Sequence, residues 1–166
     1  ITAQRSAHAL LAILNDILDL SKIESGRMQL EFVPFSVRTH LRDCVRPHQV
    51  RAQQNWIDLR LRVDDALPDM LIGDPLRLKQ IVINLLSNAV KFTTNGHIDV
   101  RISGEPGASA LATMLSVSVR DTGAGIPGEK LPHIFDKFTQ ADGSISRRFG
   151  GSGLGLAITK HLVNLF

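Results

Sequence analysis

The segment from Asp74 to Phe92 most constrains the fold, because it combines a strong helix start with a long apolar run. Asp74 precedes Pro75, and a capping carboxylate before a proline at the first helical position is typical of a helix N-terminus. The run "LRLKQIVINLLSNAVKF" then predicts a helix to about Phe92. Apolar and polar residues alternate at 56–63, 97–102 and 115–121. This order predicts a mixed α/β layout, with helices on one face of an antiparallel-leaning sheet.

A second amphipathic helix is predicted over residues 7–24, where apolar side chains recur at spacings of three and four. Its apolar stripe consists of Leu10, Leu11, Leu14, Ile17, Leu18 and Ile23. A missing helix, a second copy or the rest of the chain has to cover that stripe. Further along, "RMQLEFVPF" predicts a short strand that Pro34 ends. Ser36 is a good N-cap for a helix that runs to about Gln54.

Composition limits the classes of function. The 166 residues, 43% of them hydrophobic, fit one domain with an appendage and a real core. The net charge of +3 comes from scattered basic residues, and Trp56 is the only tryptophan in a chain without tyrosine, so a single-strand nucleic-acid binder is poorly supported. Cys44 is the only cysteine, which excludes an internal disulfide and a cysteine-based zinc site and is consistent with a reducing compartment. No apolar run approaches the length that spans a bilayer.

The predicted helix after Asp74 carries two asparagines that need an explanation. Asn84 and Asn88 are four residues apart and Lys91 follows three further on, so the three share a face. Asparagine forms helices poorly and is unfavourable to bury without partners. The amide oxygens suit a Mg²⁺ site, where Lys91 would add positive charge for a phosphate group. The alternative is a pair of asparagines that bond to the backbone or face solvent.

Three further motifs follow along the chain. "DTGAGIP" at 121–127 ends an alternating strand, and its carboxylate can accept a hydrogen bond from an exocyclic amine; the alternative is a glycine turn closed by an Asx-type bond. "FDKF" at 135–138 favours two hydrophobic anchors in a short helical piece expected near 131–138. "RRFGGSGLGLAITKHL" at 147–162 places glycines before a helix that starts near Gly153. That arrangement suggests a phosphate-binding element, although neither G-x-x-x-x-G-K-[ST] nor G-x-G-x-x-G fits.

Together these motifs resemble the nucleotide-binding motifs of sensor histidine kinases. Their order is Asn-x-x-x-Asn-x-x-Lys, D-x-G-x-G, F-x-x-F and G-G-x-G-L-G-L. "ILNDILDLSKIESGRMQLE" is similar to the family's second dimerisation helix and its junction, in a form typical of hybrid sensor kinases. The resemblance implies an incomplete dimerisation hairpin over 1–26 and an ATP-binding catalytic domain over 27–166. It also implies an α/β (α+β) two-layer sandwich, with helices over a mixed, mostly antiparallel sheet.

The resemblance implies a role for each matching residue. Asn88, with Asn84 beside it, would hold Mg²⁺, and Lys91 would reach the phosphates of ATP. The adenine end of the pocket would be formed by Asp121, which bonds the adenine amine, and by Gly123 and Gly125.

A mobile lid over roughly 139–150 is also implied. Phe135 and Phe138 would hinge and anchor its first end. Arg147 and Arg148 would meet the triphosphate. The second hinge, with backbone N–H groups facing phosphate, would consist of Gly151, Gly153 and Gly155, and Ser152 and Leu154 between them would belong to the nucleotide site. Ser152 stands where threonine is more usual and keeps the hydroxyl.

The implied activity is transfer of the γ-phosphoryl group of Mg-ATP to a histidine, for relay to the aspartate of a response regulator. None of the six histidines lies in an acceptor phrase like H-E-x-R-T-P, so the acceptor is expected upstream of Ile1 and no catalytic residue is assigned in this chain. The family's last strands are expected beyond Phe166. The expected partners are a second copy, through the dimerisation helices, and a receiver domain, with no nucleic acid. The expected location is cytoplasmic, and if the parent protein is anchored in the inner membrane, the anchor lies outside this sequence.

Two alternatives stay open. One is another ATPase or a serine kinase of the same fold. Chaperone, mismatch-repair and topoisomerase ATPases place a glutamate where Asn84 stands, however, and anti-sigma kinases lack the long first helix. The other is a non-enzyme, either a degenerate kinase that only binds partners or a nucleotide-binding module without transferase activity. The intact nucleotide-contacting positions argue against the degenerate kinase.

Overall fold

The computed structural model describes residues 2–107, 112–139 and 152–166, without the side chains of 2–6, 8 and 9. These residues form two compact units. The sheet unit runs from Glu31 to Gly125. The helical unit comprises the described residues before Glu31 and after Gly125.

Helices and strands are interspersed along the chain. The helical unit begins with α1 (Thr2–Glu24). The sheet unit consists of β1 (Val33–Ser36), α2 (Val37–Gln54), β2 (Ile57–Val63), β3 (Met70–Gly73), α3 (Pro75–Phe92), β4 (Gly96–Pro106) and β5 (Thr113–Asp121). The helical unit then continues with a 3-10 helix (Gly128–His133) and ends with α4 (Gly155–Leu165).

β4 is the central strand of a three-stranded sheet with the order β2–β4–β5. β2 pairs with it in parallel, so that Ile57 lies opposite Gly96. β5 pairs with it antiparallel, so that Asp121 lies opposite Ile98. β1 and β3 form a separate antiparallel pair. The sheet is therefore mixed, and antiparallel pairing predominates as predicted.

One face of the three-stranded sheet is covered by α2 and α3. Ile98, Val100 and Ile102 alternate along β4 and are buried in the same apolar cluster as Leu41 of α2 and Leu86 of α3. Each such side chain contributes roughly 1.5–3 kcal/mol by leaving water. The predicted architecture, with helices over one face of a mixed sheet, is confirmed.

Some local predictions were wrong. Pro34 does not end the first strand but lies inside β1, opposite Ile72. Among the described residues β1 pairs with β3 alone, so its other edge is open. Proline lacks the backbone N–H, and it is tolerated in such an edge strand because that N–H could face the open edge. β3 was not predicted, because four residues are too few to display an alternation. The helical piece expected near 131–138 is the 3-10 helix, and it lies earlier, at Gly128–His133.

The predicted helix over residues 7–24 corresponds to α1, which starts earlier, at Thr2. Its apolar stripe is open to solvent in the single chain, since Leu10 is 68% and Leu18 50% exposed. Leu20, which lies outside the predicted stripe, is buried. Within the described part of the chain, none of the helices combines the length and apolar character needed to cross a membrane.

α3 begins where the sequence predicts, because Asp74 holds its N-terminus. One oxygen, Oδ1, accepts a hydrogen bond from the backbone N–H of Arg77 at 3.0 Å. The other, Oδ2, accepts one from the backbone N–H of Glu31 at 3.1 Å. The side chain is buried. Asp74 therefore caps α3 and ties the segment before β1 to the start of that helix.

Replacing Asp74 by alanine removes both bonds, and we expect it to lower the free energy of unfolding by about 2 kcal/mol. Asp74→Asn keeps an oxygen that can accept from one of the two N–H groups, so its loss should be clearly smaller. Urea denaturation followed by far-UV circular dichroism measures both variants. An alanine variant as stable as the native chain would contradict the capping role.

Candidate nucleotide-binding site

α3 carries a polar strip near its C-terminal end. Asn84, Asn88 and Lys91 lie half-buried along it, as their spacing predicts. Burial lowers the pKa of Lys91, and its Nζ lies 5.0 Å from the centre of the Phe92 ring. Asn84 and Lys91 each have an interaction, whereas the Asn88 side chain has no hydrogen-bond partner in the residues that the structure describes. The Asn88 amide is therefore available to a ligand.

Asp121, the last residue of β5, closes the turn that follows the strand. Its Oδ1 accepts a hydrogen bond from the backbone N–H of Gly123 at 2.8 Å, which is the Asx-type bond named as the alternative. The side chain is exposed, and Oδ2 has no partner within the described ranges. One oxygen therefore serves the turn, while the other can still accept a hydrogen bond from a ligand.

The Asp121 turn lies against the C-terminal end of α3. A Cβ added to Gly123 would lie 2.5 Å from the carbonyl oxygen of Phe92, so only glycine fits there. The backbone N–H of Ala124 donates to the same oxygen at 3.4 Å. Gly125 has a φ of +71°, which glycine adopts without strain. These contacts bring the predicted adenine end to the end of the helix that carries Asn88 and Lys91.

Thr122 and Gly96 are positioning residues that the sequence reasoning missed. Thr122 Oγ1 accepts a hydrogen bond from the N–H of His97 at 3.0 Å and donates to the carbonyl of His97 at 3.3 Å. A Cβ on Gly96, whose φ is +120°, would lie 2.1 Å from that hydroxyl oxygen. Together they fix the base of the Asp121 turn to the start of β4. Two sequence features could have pointed to these residues: the hydroxyl of the threonine in D-T-G and the Asn-Gly turn before β4.

In the helical unit, the two ends of the predicted lid meet in a narrow neck. The backbone N–H of Phe138 donates to the carbonyl of Gly153 at 3.1 Å. Phe138 has a φ of +60° and Gly153 one of +69°. A Cβ on Gly153 would lie 3.0 Å from two backbone atoms of Phe138, so the approach favours glycine. The Phe138 ring itself is 67% exposed and is not a buried anchor.

The neck is also tied to α1. Ser152 Oγ donates to Oδ2 of Asp16 at 2.9 Å and accepts from the backbone N–H of Leu154 at 3.2 Å. Burial raises the pKa of Asp16, the bond from Ser152 lowers it, and Asp19 raises it further. On the other side of the neck, Lys137 forms an ion pair with Glu24. The hydroxyl kept at Ser152 thus has a structural use.

The remaining predicted residues differ in their surroundings. The side chain of Leu154 is buried, so it packs rather than faces a ligand. Gly155 is the first residue of α4, two positions later than predicted, and within the described chain no side chain caps that N-terminus. Phe135 is 40% exposed and lies under Lys160, whose Nζ is 5.8 Å from the ring centre. Arg147, Arg148, Gly151 and the predicted lid after Thr139 lie outside the described residues.

In residues 2–107, 112–139 and 152–166, no group of three or more His, Cys, Asp or Glu side chains could hold a metal ion. Amide oxygens such as that of Asn88 are the kind of ligand that suits an ion taking its other ligands from water and phosphate.

Residues 73–166, which include α3, the Asp121 turn and the neck, match the sequence model of a family described as histidine kinase-, DNA gyrase B- and HSP90-like ATPase. The chain belongs to this ATPase family. Among its relatives, the signal transduction histidine-protein kinase BarA of Escherichia coli K12 is 47% identical over 98% of this chain and 18% of that protein. Hybrid signal transduction histidine kinase A of Dictyostelium discoideum is 42% identical over 98% of this chain and 8% of its own length.

The chain thus spans less than a fifth of the length of these two relatives. A solved structure is similar as well. The full-length protein ShkA in complex with AMPPNP has a TM-score of 0.79 and 32% identity, over 95% of this chain and 31% of that one. The predicted resemblance to hybrid sensor histidine kinases is confirmed.

Gly153→Ala should weaken the neck, because the added methyl group meets the backbone of Phe138 in a conformation that alanine adopts poorly. We expect amide hydrogen exchange at Phe138, measured by NMR, to become roughly tenfold faster. Gly125→Ala is the matched control, since its φ of +71° is similar but nothing lies within 4 Å of the added Cβ. Unchanged exchange at Phe138 in the Gly153 variant would show that the neck does not depend on glycine.

Proposed function

We propose that this chain binds Mg-ATP and transfers its γ-phosphoryl group to a histidine outside the chain, as the catalytic part of a sensor histidine kinase. The observation that carries the proposal is the contact at Phe92, where the Asp121 turn meets the end of the helix with Asn88 and Lys91. Membership of an ATPase family supports nucleotide binding. The names of the relatives support a histidine kinase.

Asp121 would select the base. The bond from Gly123 to Oδ1 orients the carboxylate, and Oδ2 faces solvent. The exocyclic amine of adenine can donate to that oxygen, whereas guanine presents a carbonyl oxygen at the same ring position, which a carboxylate repels. Gly123 and Gly125 carry no side chain that would keep the ring away from the backbone.

The polar strip of α3 would receive the phosphates. Lys91 loses hydration on burial, which lowers its pKa, and a nearby phosphate favours the charged ammonium again. Asn88 and Asn84 would hold Mg²⁺, since amide oxygens are hard ligands and Asn88 has no competing bond in the described residues. The ion would supply positive charge to the phosphate oxygens as the γ-phosphoryl group departs.

The neck would control the lid. Arg147 and Arg148 would supply cations to the triphosphate from the segment between Phe138 and Gly153. Gly151, Gly155 and the N-terminus of α4 would offer backbone N–H groups to phosphate. The ties from Ser152 to Asp16 and from Lys137 to Glu24 would let the position of α1 influence how the lid closes.

Partners follow from α1 and from the chemistry. The exposed stripe of α1 would pair with the equivalent helix of a second copy, in a homodimer of the parent protein. The phosphoryl group would pass from the acceptor histidine to an aspartate of a receiver domain. We propose a cytoplasmic site for this reaction, because receiver domains and ATP meet there.

The alternatives are less well supported. Hydrolysis by other ATPases of this fold needs a carboxylate to activate water, and the neutral amide of Asn84 cannot take up that proton. A degenerate kinase that only binds partners would be expected to lose nucleotide contacts, whereas Asp121, Asn88 and Lys91 are all present.

Asp121→Ala should abolish Mg-ATP binding, which we expect in the native chain at micromolar to millimolar affinity, about −4 to −8 kcal/mol. Asp121→Asn should also lose it, because the amide oxygen stays with Gly123 and the NH₂ group then faces the adenine amine. Isothermal titration calorimetry measures both variants. Asp65→Ala, an exposed carboxylate after β2, is the control that should bind normally. Unchanged binding by either Asp121 variant would contradict the adenine assignment.

Asn88→Ala should abolish phosphoryl transfer to a separate helical peptide that carries an acceptor histidine. The loss should exceed about tenfold, since a ligand of the phosphate-bound ion is removed. Radiolabel transfer from ATP to the peptide measures the effect. Asn164→Ala, on the exposed end of α4, should transfer at the native rate. Full labelling by the Asn88 variant would contradict the metal-site proposal.

A further inference from the structure

A concave surface lies in the sheet unit, at the edge of the sheet formed by β2. This β2 groove has a volume of about 630 Å³. It is lined by Arg38, Arg42, Val45 and Gln49 of α2 and by residues 59–63 of β2. None of these residues belongs to the nucleotide site, so the groove has no role in the proposed phosphoryl transfer.

The β2 groove contains an open strand edge. In the described chain β2 pairs with β4 alone, so its other edge has no partner strand. The N–H of Asp64 donates to the carbonyl of Ile102 in β4. Because alternate residues of a strand point their backbone groups to opposite edges, Leu59, Leu61 and Val63 point theirs away from β4. These are the backbone groups that a further strand would bond.

Positive charge surrounds this edge and is incompletely neutralised. Arg60 pairs with Asp58, at 2.7 Å between Nε and Oδ2. Arg62 lies directly opposite Arg101 in the pairing with β4, so two like charges are adjacent. Neither Arg62 nor Arg42 has an acidic partner in the part of the chain that the structure describes. Arg38 donates to backbone carbonyls, including those of Asp64 and Leu67, which leaves its charge without a carboxylate.

Trp56 adds an aromatic surface immediately before β2. Its side chain is 87% exposed, and its φ is +58°, which is uncommon for a bulky residue. Its backbone N–H donates to the carbonyl of Gln53 at 3.1 Å, which holds this conformation at the end of α2. Tryptophan and arginine are both enriched among the residues that contribute most to protein–protein binding.

We propose that the β2 groove is a docking site for an acidic, extended segment of a partner protein, which adds to the sheet as a strand beside β2. The open backbone edge supplies hydrogen bonds, Arg62 and Arg42 select negative charge, and Trp56 contacts the end of the segment. A second copy of this chain fits poorly, because pairing β2 with β2 would bring arginines against arginines. A nucleic acid would satisfy the charges but not the row of strand donors and acceptors.

The probe is a peptide of about eight residues that alternates glutamate with valine, enough to reach from Val63 to Trp56 at about 3.3 Å per residue. Trp56 is the only tryptophan and tyrosine is absent, so its fluorescence reports binding to the whole chain. We expect saturable binding that weakens as salt rises from about 50 to about 500 mM. The same peptide with lysine for glutamate should not bind. The peptide N-methylated at every amide should not bind either.

Arg62→Glu should weaken peptide binding roughly tenfold while leaving Mg-ATP binding unchanged, which separates this proposal from the proposed function. This variant should fold normally, since it removes the repulsion from Arg101. Arg46→Glu, an exposed α2 residue that does not line the groove, is the matched control. Equal binding by the lysine peptide, by the N-methylated peptide or by the Arg62 variant would overturn the proposal. Displacement of the peptide by oligothymidylate would assign a different occupant and overturn the proposal too. So would self-association in analytical ultracentrifugation that Arg62→Glu abolishes and the peptide prevents.

Discussion

The structure depends most on the apolar cluster that the buried side of α3 shares with β4. Val82 and Leu86 are fully buried there, in one cluster with Ile98 and Val100. This contact fixes the rotation of the helix about its own axis, so that the opposite strip with Asn84 and Asn88 stays near the surface. The same contact fixes the helix end, and Phe92 can then receive the Asp121 turn. The position of the polar residues is therefore a consequence of apolar packing, which is the larger energy term.

Much of the sheet unit could be predicted from the sequence, because its signals are local. Asp74 with Pro75 marks the start of α3, and the alternation at residues 57–63 marks β2. The asparagine spacing identifies the polar strip without a structure. Pro34 and β3 could not be predicted in this way, since the pairing of two four-residue strands is set by the partner strand and not by their own residues.

The details of the site were also beyond the sequence. The sequence left open whether the Asp121 carboxylate bonds Gly123 or a ligand. In the structure Oδ1 bonds Gly123, which leaves Oδ2 for a ligand. The contact between Gly123 and Phe92 joins residues about thirty positions apart, and no local pattern reports it. The same holds for Ser152, whose partner Asp16 lies at the other end of the chain. Long-range polar contacts of this kind depend on the completed fold.

The neck between Phe138 and Gly153 has a consequence for how such chains can vary. The hydrogen bond between Phe138 and Gly153 holds these two residues together. Their positions therefore depend little on the number of residues between them. Doubling the length of a closed loop raises its entropic penalty by only about 0.6 kcal/mol. Insertions and deletions between these two residues are therefore inexpensive for folding, as long as Ser152 and the arginines proposed to meet the triphosphate are kept.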